Sequence, residues 1–518
     1  MGDSDQKALN ALAKGAGITA IGMMISKALT YIYRVSIARF VGPEAYGQLS
    51  LGLMVIGIGS TIAYLSLGSS LQKFIPEFRN RGENARVRGV VLSALQMTLP
   101  LSILLTALIF FGADFIAIEI FENPELVPIL KVLSFSIVLG IPSSIFFDTT
   151  LGFNKIIYKT VSVRIIQNIV QVGVTLILLL LGFQVISAAW GWIAGSIASL
   201  ILGLYVLEKK IGPILFSRVK PVYQHRKMLR FSGPLILSGM IGTLMGWADT
   251  GFLGYYMTDF EVGLYNAALP TAMLILLPHK AIGSLALPSF SELKERNEEG
   301  VESSLKTATY WVFSLVLPTF LILLFFSEQT LHILFGSEYR AASMALSILA
   351  GGYLFDAVVG RVGSFLQSKG YTRYILYNNI AALTLNLCLN IVLIPMYGII
   401  GAAVATASST ILTNLLMFIE VWKKEDIISI PNRKILQIII VGLVPLAAVI
   451  GLDSLLFVDT PYWFLFPAGI IYYTLYILTF IKFIGLEDEE KEVILRTGEK
   501  LGYREKIKSV LEKLDELL

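Results

Sequence analysis

The stretch Leu176-Ile177-Leu178-Leu179-Leu180-Leu181-Gly182-Phe183-Gln184-Val185-Ile186-Ser187-Ala188-Ala189-Trp190-Gly191-Trp192-Ile193 decides the fold class. It closes one apolar run, from about residue 161 to 182, and opens the next, from about 185 to 207, with only Phe183 and Gln184 between them. Each run reaches the roughly 20 apolar residues that a helix needs to cross a bilayer core. Lipid offers no partner to a backbone N–H or C=O, so each run must satisfy its own hydrogen bonds as a helix. The stretch therefore reads as a transmembrane hairpin.

Outward from it the pattern recurs. Spans are predicted at about 15–39, 46–72, 89–112 and 126–152 before the hairpin, and at 231–256, 263–287, 307–326, 341–366, 374–394 and 399–422 after it. A final pair covers about 435–457 and 461–484. The expectation is an all-α polytopic membrane protein of about fourteen transmembrane helices. Composition agrees: 55% of the 518 residues are hydrophobic and only 15% charged, against roughly 25% charged in a soluble domain. That excludes a soluble enzyme, a nucleic-acid binder and a disulfide scaffold. The 41 basic and 37 acidic residues give a net charge of only +4, so no nucleic-acid partner is implied. One cysteine, Cys388, reads as a small buried residue against a neighbouring helix. With His225, His279 and His332 as the only histidines, no His/Cys zinc or haem site is expected. The N-terminus lacks the pattern of a cleaved signal peptide, so its first apolar stretch is expected to be retained.

The basic residues of the short connections alternate along the chain. Segments 73–88, 153–164, 208–230, 288–306, 367–373 and 423–434 hold 24 Lys and Arg, whereas the connections on the other side hold one, Arg340. By the positive-inside tendency both termini are cytosolic, and the Glu/Lys-rich tail 487–518 reads as an amphipathic cytosolic helix. An internal repeat is also visible. Ile75-Pro76-Glu77-Phe78 corresponds to Leu287-Pro288-Ser289-Phe290, Asn154-Lys155 to Ser368-Lys369, and Ser187-Ala188-Ala189 to Gly401-Ala402-Ala403. Six helices separate the copies, so the repeats are parallel. The predicted organisation is a six-helix bundle (1–207), a basic cytosolic linker (208–230), a second six-helix bundle (231–422), an appended helix pair (423–486) and the tail. No Walker A sequence is present, so any driving force is expected from a gradient, with a coupling Na⁺ or H⁺ and no resident cofactor.

Charges within spans are expensive and therefore informative. Lys27 and Arg34 are seven residues apart on one face of the first helix. Lys27 faces a water-filled cavity or a structural ion pair; Arg34 is balanced between the two. A cationic stripe suits a phosphate, which Arg meets with a planar fork and Lys with a point charge. Lys280 beside His279, and Arg361, are further basic candidates. Asp148, Asp249 and Asp356 are the intramembrane acids, each either a structural partner or a site for a coupling ion. Asp249 is positioned by the repeat to meet Lys27 or Arg34 across the two halves.

The segment Arg39-Phe40-Val41-Gly42-Pro43-Glu44-Ala45-Tyr46-Gly47 resembles the Arg-x-x-Gly-Pro-x-x-Tyr-Gly turn of Wzx-like oligosaccharide flippases. These are polysaccharide-biosynthesis exporters of the multidrug/oligosaccharidyl-lipid/polysaccharide (MOP) superfamily. Asp259-Phe260-Glu261-Val262-Gly263-Leu264-Tyr265 resembles a degenerate second copy, and Phe365-Leu366-Gln367-Ser368-Lys369-Gly370 the family's Leu-Gln-Gly turn. The resemblance implies two bundles around a V-shaped cavity that opens alternately to each side. It also implies passage of a polyprenyl-(pyro)phosphate-linked oligosaccharide to the outer leaflet, with Lys27 and Arg34 on the phosphate and the tail in membrane lipid. Glycosyltransferases or a polymerase of the same pathway are the implied protein partners. A multidrug and toxin extrusion (MATE) type cation antiporter and a MurJ-type lipid II flippase are the alternatives. A membrane-embedded glycosyltransferase would need larger external loops than this chain has.

Overall fold

The computed structural model describes residues 3–277, 298–360, 362–428, 430, 432–457 and 461–484. All regular structure among them is helical. In the first half these are α1 (Asp3–Tyr64), α2 (Leu67–Asn80), α3 (Asn84–Phe111), α4 (Leu126–Gly152), α5 (Ile156–Val161), α6 (Gln167–Leu180) and α7 (Ile186–Val206). In the second they are α8 (His225–Tyr256), α9 (Asp259–Ala272), α10 (Glu298–Phe325), α11 (Ser327–Phe335), α12 (Ser343–Val359), α13 (Val362–Ser368), α14 (Thr372–Tyr397) and α15 (Ile399–Glu425). The last two are α16 (Asn432–Leu456) and α17 (Leu465–Phe483).

By length and apolar composition, eleven helices among the described residues can cross a membrane, against the fourteen spans expected. Three local features account for the difference. The connection expected at 40–45 shrinks to one non-helical residue, Gly42 (φ 80°), so the first two spans run together as α1. The expected fifth span holds the short apolar helix α6 behind a π-helical turn, Ser162–Ile166. The expected eighth begins as α9 and a 3-10 turn, Met273–Ile275, its remainder falling outside the described residues.

Two other expected spans are interrupted. The second breaks at Leu65 and Ser66, both left-handed at φ 50°. That conformation costs an L-residue about 1 kcal/mol or more and is held here by its neighbours: the Tyr64 hydroxyl donates to Asp148, and Ser66 Oγ donates to the Leu235 carbonyl at 3.2 Å. The tenth breaks at Gly360 (φ 83°), whose missing side chain leaves room for Thr309; a β-carbon would overlap its hydroxyl.

In the first half α4 is central, touching α1, α2, α3 and α7. α6 and α7 pack so closely that a β-carbon on Gly191 would strike Thr175. In the second half α15 is wrapped by α12 and α14, with Gly352 against Ala407. α16 and α17 lie together on α10, where Gly442 meets Leu317 and the Tyr476 hydroxyl donates to the Ser314 carbonyl at 2.7 Å. The largest apolar core runs continuously from α1 and α4 into α9, α10 and α12.

Candidate functional site

The two halves close on each other where α1 meets α9. A β-carbon on Gly47 would overlap the carbonyl of Asp259, and one on Gly263 would overlap the carbonyl of Pro43. Around this seam the Tyr46 hydroxyl reaches the Asn266 carbonyl (3.4 Å), Tyr339 reaches the Ala38 carbonyl (3.0 Å), and Tyr31 shares a hydrogen bond with Thr271 (2.9 Å). Gly42, Pro43, Tyr46 and Gly47 therefore form one face of an inter-half contact, and the degenerate copy at Asp259–Gly263 forms the other. The sequence pattern predicts a turn at this place; the structure uses its small residues for backbone-to-backbone approach.

At the opposite, basic-loop end the arrangement differs. The first part of α8 belongs to the first half: Ser232 shares a hydrogen bond with Ser70 at 2.7 Å, and Lys227 pairs with Glu77 at 3.0 Å. Arg88 clamps the linker through the carbonyls of Ile214 and Leu215, both at 2.8 Å, and that of Val219. The last part of α8 lies between the halves: Asp249 is fastened to α14 and α15, while Gly251 and Gly254 pack on Met54, Leu51 and Phe121 of the first half. Between these two parts of α8 lie Gly239, Gly242 and Gly246, and a β-carbon at either of the last two would meet nothing within 4 Å. α8 thus straddles the halves and parts from α12–α15 toward its basic-loop end. The gap is a cavity of about 460 Å³.

Asp249 anchors the straddling helix. It is 4% exposed and accepts hydrogen bonds from Asn390 (2.7 Å), Asn386 (3.1 Å), the Tyr265 hydroxyl and the Thr406 hydroxyl. The expected pairing with Lys27 or Arg34 is not found; uncharged donors from α9, α14 and α15 take its place. Four donors can replace the hydration of one carboxylate without a counter-charge. The amide oxygen of Asn390 is buried with no protein hydrogen bond, and that of Asn386 accepts from Asn390. Asn386, Asn390, Tyr265 and Thr406 carry no charge to mark them in the sequence. Their available signal was Asn386-x-x-x-Asn390, two amides one turn apart in an apolar run.

Lys27 is exposed on α1, and Arg34 is half-buried two turns nearer the seam. The seven residues between them correspond to about 10 Å along the helix. Asp148 is 1% exposed and pairs with Lys159 at 2.6 Å, an ion pair of the structural kind, with the Tyr64 hydroxyl on its other oxygen. Asp356 is half-buried and lines the cavity behind α8. Lys280, His279, Arg361 and the tail lie outside the described residues. Cys388, expected to be buried, is exposed on α14. Its helix turns Asn386 and Asn390 inward instead, because an amide in lipid costs more than a thiol.

Comparison with known proteins places these features. The sequence profile of the polysaccharide biosynthesis protein family matches residues 12–294, and that of MatE matches residues 234–392. The chain is 27% identical over 413 residues to the probable low-salt glycan biosynthesis flippase Agl15 of Haloferax volcanii, covering 77% of this chain and 81% of that protein. It is 22% identical to a putative O-antigen transporter of Shigella flexneri, over 74% of this chain and 90% of the relative. Its fold is similar to that of the lipid II flippase MurJ in an inward closed conformation, with a TM-score of 0.71 and 17% identity over 90% of this chain and 98% of MurJ.

Proposed function

The chain belongs to the polysaccharide biosynthesis protein family, and from that premise we propose that it is a flippase for a polyprenyl-(pyro)phosphate-linked oligosaccharide. The headgroup enters the cleft from the basic-loop side, the phosphates meet Lys27 and Arg34, and the polyprenyl tail stays in the bilayer. The protein lies in the plasma membrane with both termini cytosolic, delivering substrate for cell-surface polysaccharide or glycoprotein glycan assembly beside the glycosyltransferases or polymerase of that pathway. The observation that carries this reading is the cationic face of α1, Lys27 exposed and Arg34 half-buried, leading toward a seam that closes the far end. Moving the cargo requires that seam to part and the opposite end to close, and α8, fastened to the first half at its basic-loop end and lying between the halves at the other, links the two events.

Asp249 couples the movement to an ion. The site can take a proton on Asp249 itself, or a hard cation such as Na⁺ once the side chains of Asn386 and Asn390 turn their amide oxygens, in place of their N–H groups, toward the carboxylate. Occupancy changes the charge at the point where α8 is fastened to the second half. The second reading, a MATE-type cation antiporter, is favoured by this same buried acid; the cationic α1 weighs against it. Reconstituted liposomes carrying a fluorescent lipid-phosphate-linked oligosaccharide separate the two. The flippase reading expects Lys27→Ala and Arg34→Ala to stop flipping in folded protein. Indifference to that substrate together with exchange of an organic cation for protons overturns it.

A further inference from the structure

The cavity behind α8 differs chemically from the face of α1. Its described lining includes Ser238 from α8, Asp356 from α12, Gln367 from α13, Asn379 from α14 and Asn414 from α15, with Ser364 beside them. These are hydroxyls, amides and one carboxylate, and no Lys or Arg occurs among the described lining residues. A volume of about 460 Å³ falls within the range typical of ligand sites. The wall is built on interrupted backbone: α12 ends at Val359, the chain turns at Gly360, and α13 restarts at Val362, with Gly360 and Gly363 both in the lining. Within a membrane, non-helical backbone is tolerated where it borders a polar cavity or is buried in protein. Polar side chains from five helices border this cavity.

We propose that this cavity is the oligosaccharide subsite, taking uncharged, hydroxyl-rich sugar rings while the phosphates lie on α1. The assignment rests on the flippase reading and divides its substrate between two places. The amide oxygens of Gln367 and Asn379 can accept from sugar hydroxyls, and their N–H groups can donate back, so paired hydroxyls can be held in a bidentate fashion. Gln367 gives a role to the Phe365–Gly370 motif: Lys369 fixes the end of that turn on Glu425 at 2.7 Å, which holds Gln367 against the cavity.

The test uses purified full-length protein in nanodiscs and two soluble probes, a panel of neutral methyl glycosides and inorganic pyrophosphate, with binding followed by calorimetry and ligand-observed NMR. At least one glycoside is expected to bind wild type, and Gln367→Ala and Asn379→Ala to weaken it about tenfold each, the scale of one lost hydrogen bond. Pyrophosphate binding should be unchanged in both variants. A wild type that binds none of the glycosides, or variants that bind them as wild type does, overturns the subsite. Unchanged thermal unfolding in the variants separates loss of contact from loss of fold. The flippase reading is judged independently by the liposome assay. Flipping without glycoside binding removes only the subsite, whereas glycoside binding without flipping removes the transport reading.

Discussion

Gly47 and Asp259 meet backbone to backbone, one from each half of the molecule, with no room for a β-carbon between them. The reciprocal pair, Gly263 and Pro43, meets in the same way. A seam built from such contacts is short-ranged: it holds only while the helices stay in register, and a single methyl group parts it.

Gly47→Ala is accordingly expected to shift the protein away from the closed seam. With Cys388→Ser as background and a cysteine at Ala45, the rate of labelling by an impermeant maleimide should rise several-fold in Gly47→Ala. An unchanged rate would show that the seam has slack that the structure does not display.

The same seam carries a pH dependence. The Asp259 carboxyl is pushed up from 3.8 to about 6, chiefly by burial and then by the negative charges of Glu44 and Glu125, while Gln48 opposes the shift by hydrogen bonding. Asn123 also donates to Asp259, and Gln48 donates to Glu125 at 2.9 Å. A carboxyl that holds its proton more tightly in the closed seam favours that seam most at low pH. The contribution is full below about 4 and is lost as pH rises through about 6. Seam labelling should therefore increase between these limits, and Asp259→Asn should flatten the profile.

Asp148 and Lys159 form a pair of which the acid is wholly buried. Replacing Lys159 by Met strands that carboxylate and is expected to cost roughly 3 kcal/mol. Adding Asp148→Asn should restore much of the loss, measured as thermal unfolding in detergent. Strict additivity of the two changes would contradict a direct pairing.

Asp249→Asn keeps the size of the side chain and removes its charge. Three of its four donors sit on α14 and α15, so folding should survive and the ion dependence should not. Flipping measured under imposed Na⁺ and pH gradients should become insensitive to both. A variant that still responds to a gradient would place the coupling ion elsewhere.

The membrane architecture was legible because it depends on run length and on a scarcity of charge, both of which survive in any register. The Gly42–Gly47 motif was legible as a local pattern. Its partner surface at Asp259–Gly263 was visible only as a weak second copy, and nothing in the spacing revealed that the two touch. The breaks at Leu65–Ser66 and Gly360 were hidden because tertiary contacts to Asp148, Leu235 and Thr309 stabilise them, while the flanking residues remain apolar. Asp249 stands out in the sequence as a charge that needs partners, but amides and hydroxyls serve it, and these carry no charge to mark them. Uncharged polar side chains are common in membrane helices, and only their convergence in space distinguishes Asn386 and Asn390 from the rest.

The most direct measurement is flipping of a fluorescent lipid-phosphate-linked oligosaccharide in reconstituted liposomes by wild type, Lys27→Ala and Arg34→Ala. Transport by wild type, reduced by about tenfold or more in each folded variant, is the result expected if both cations hold the phosphate. Equal transport by all three proteins would contradict a cationic cleft at the centre of the mechanism.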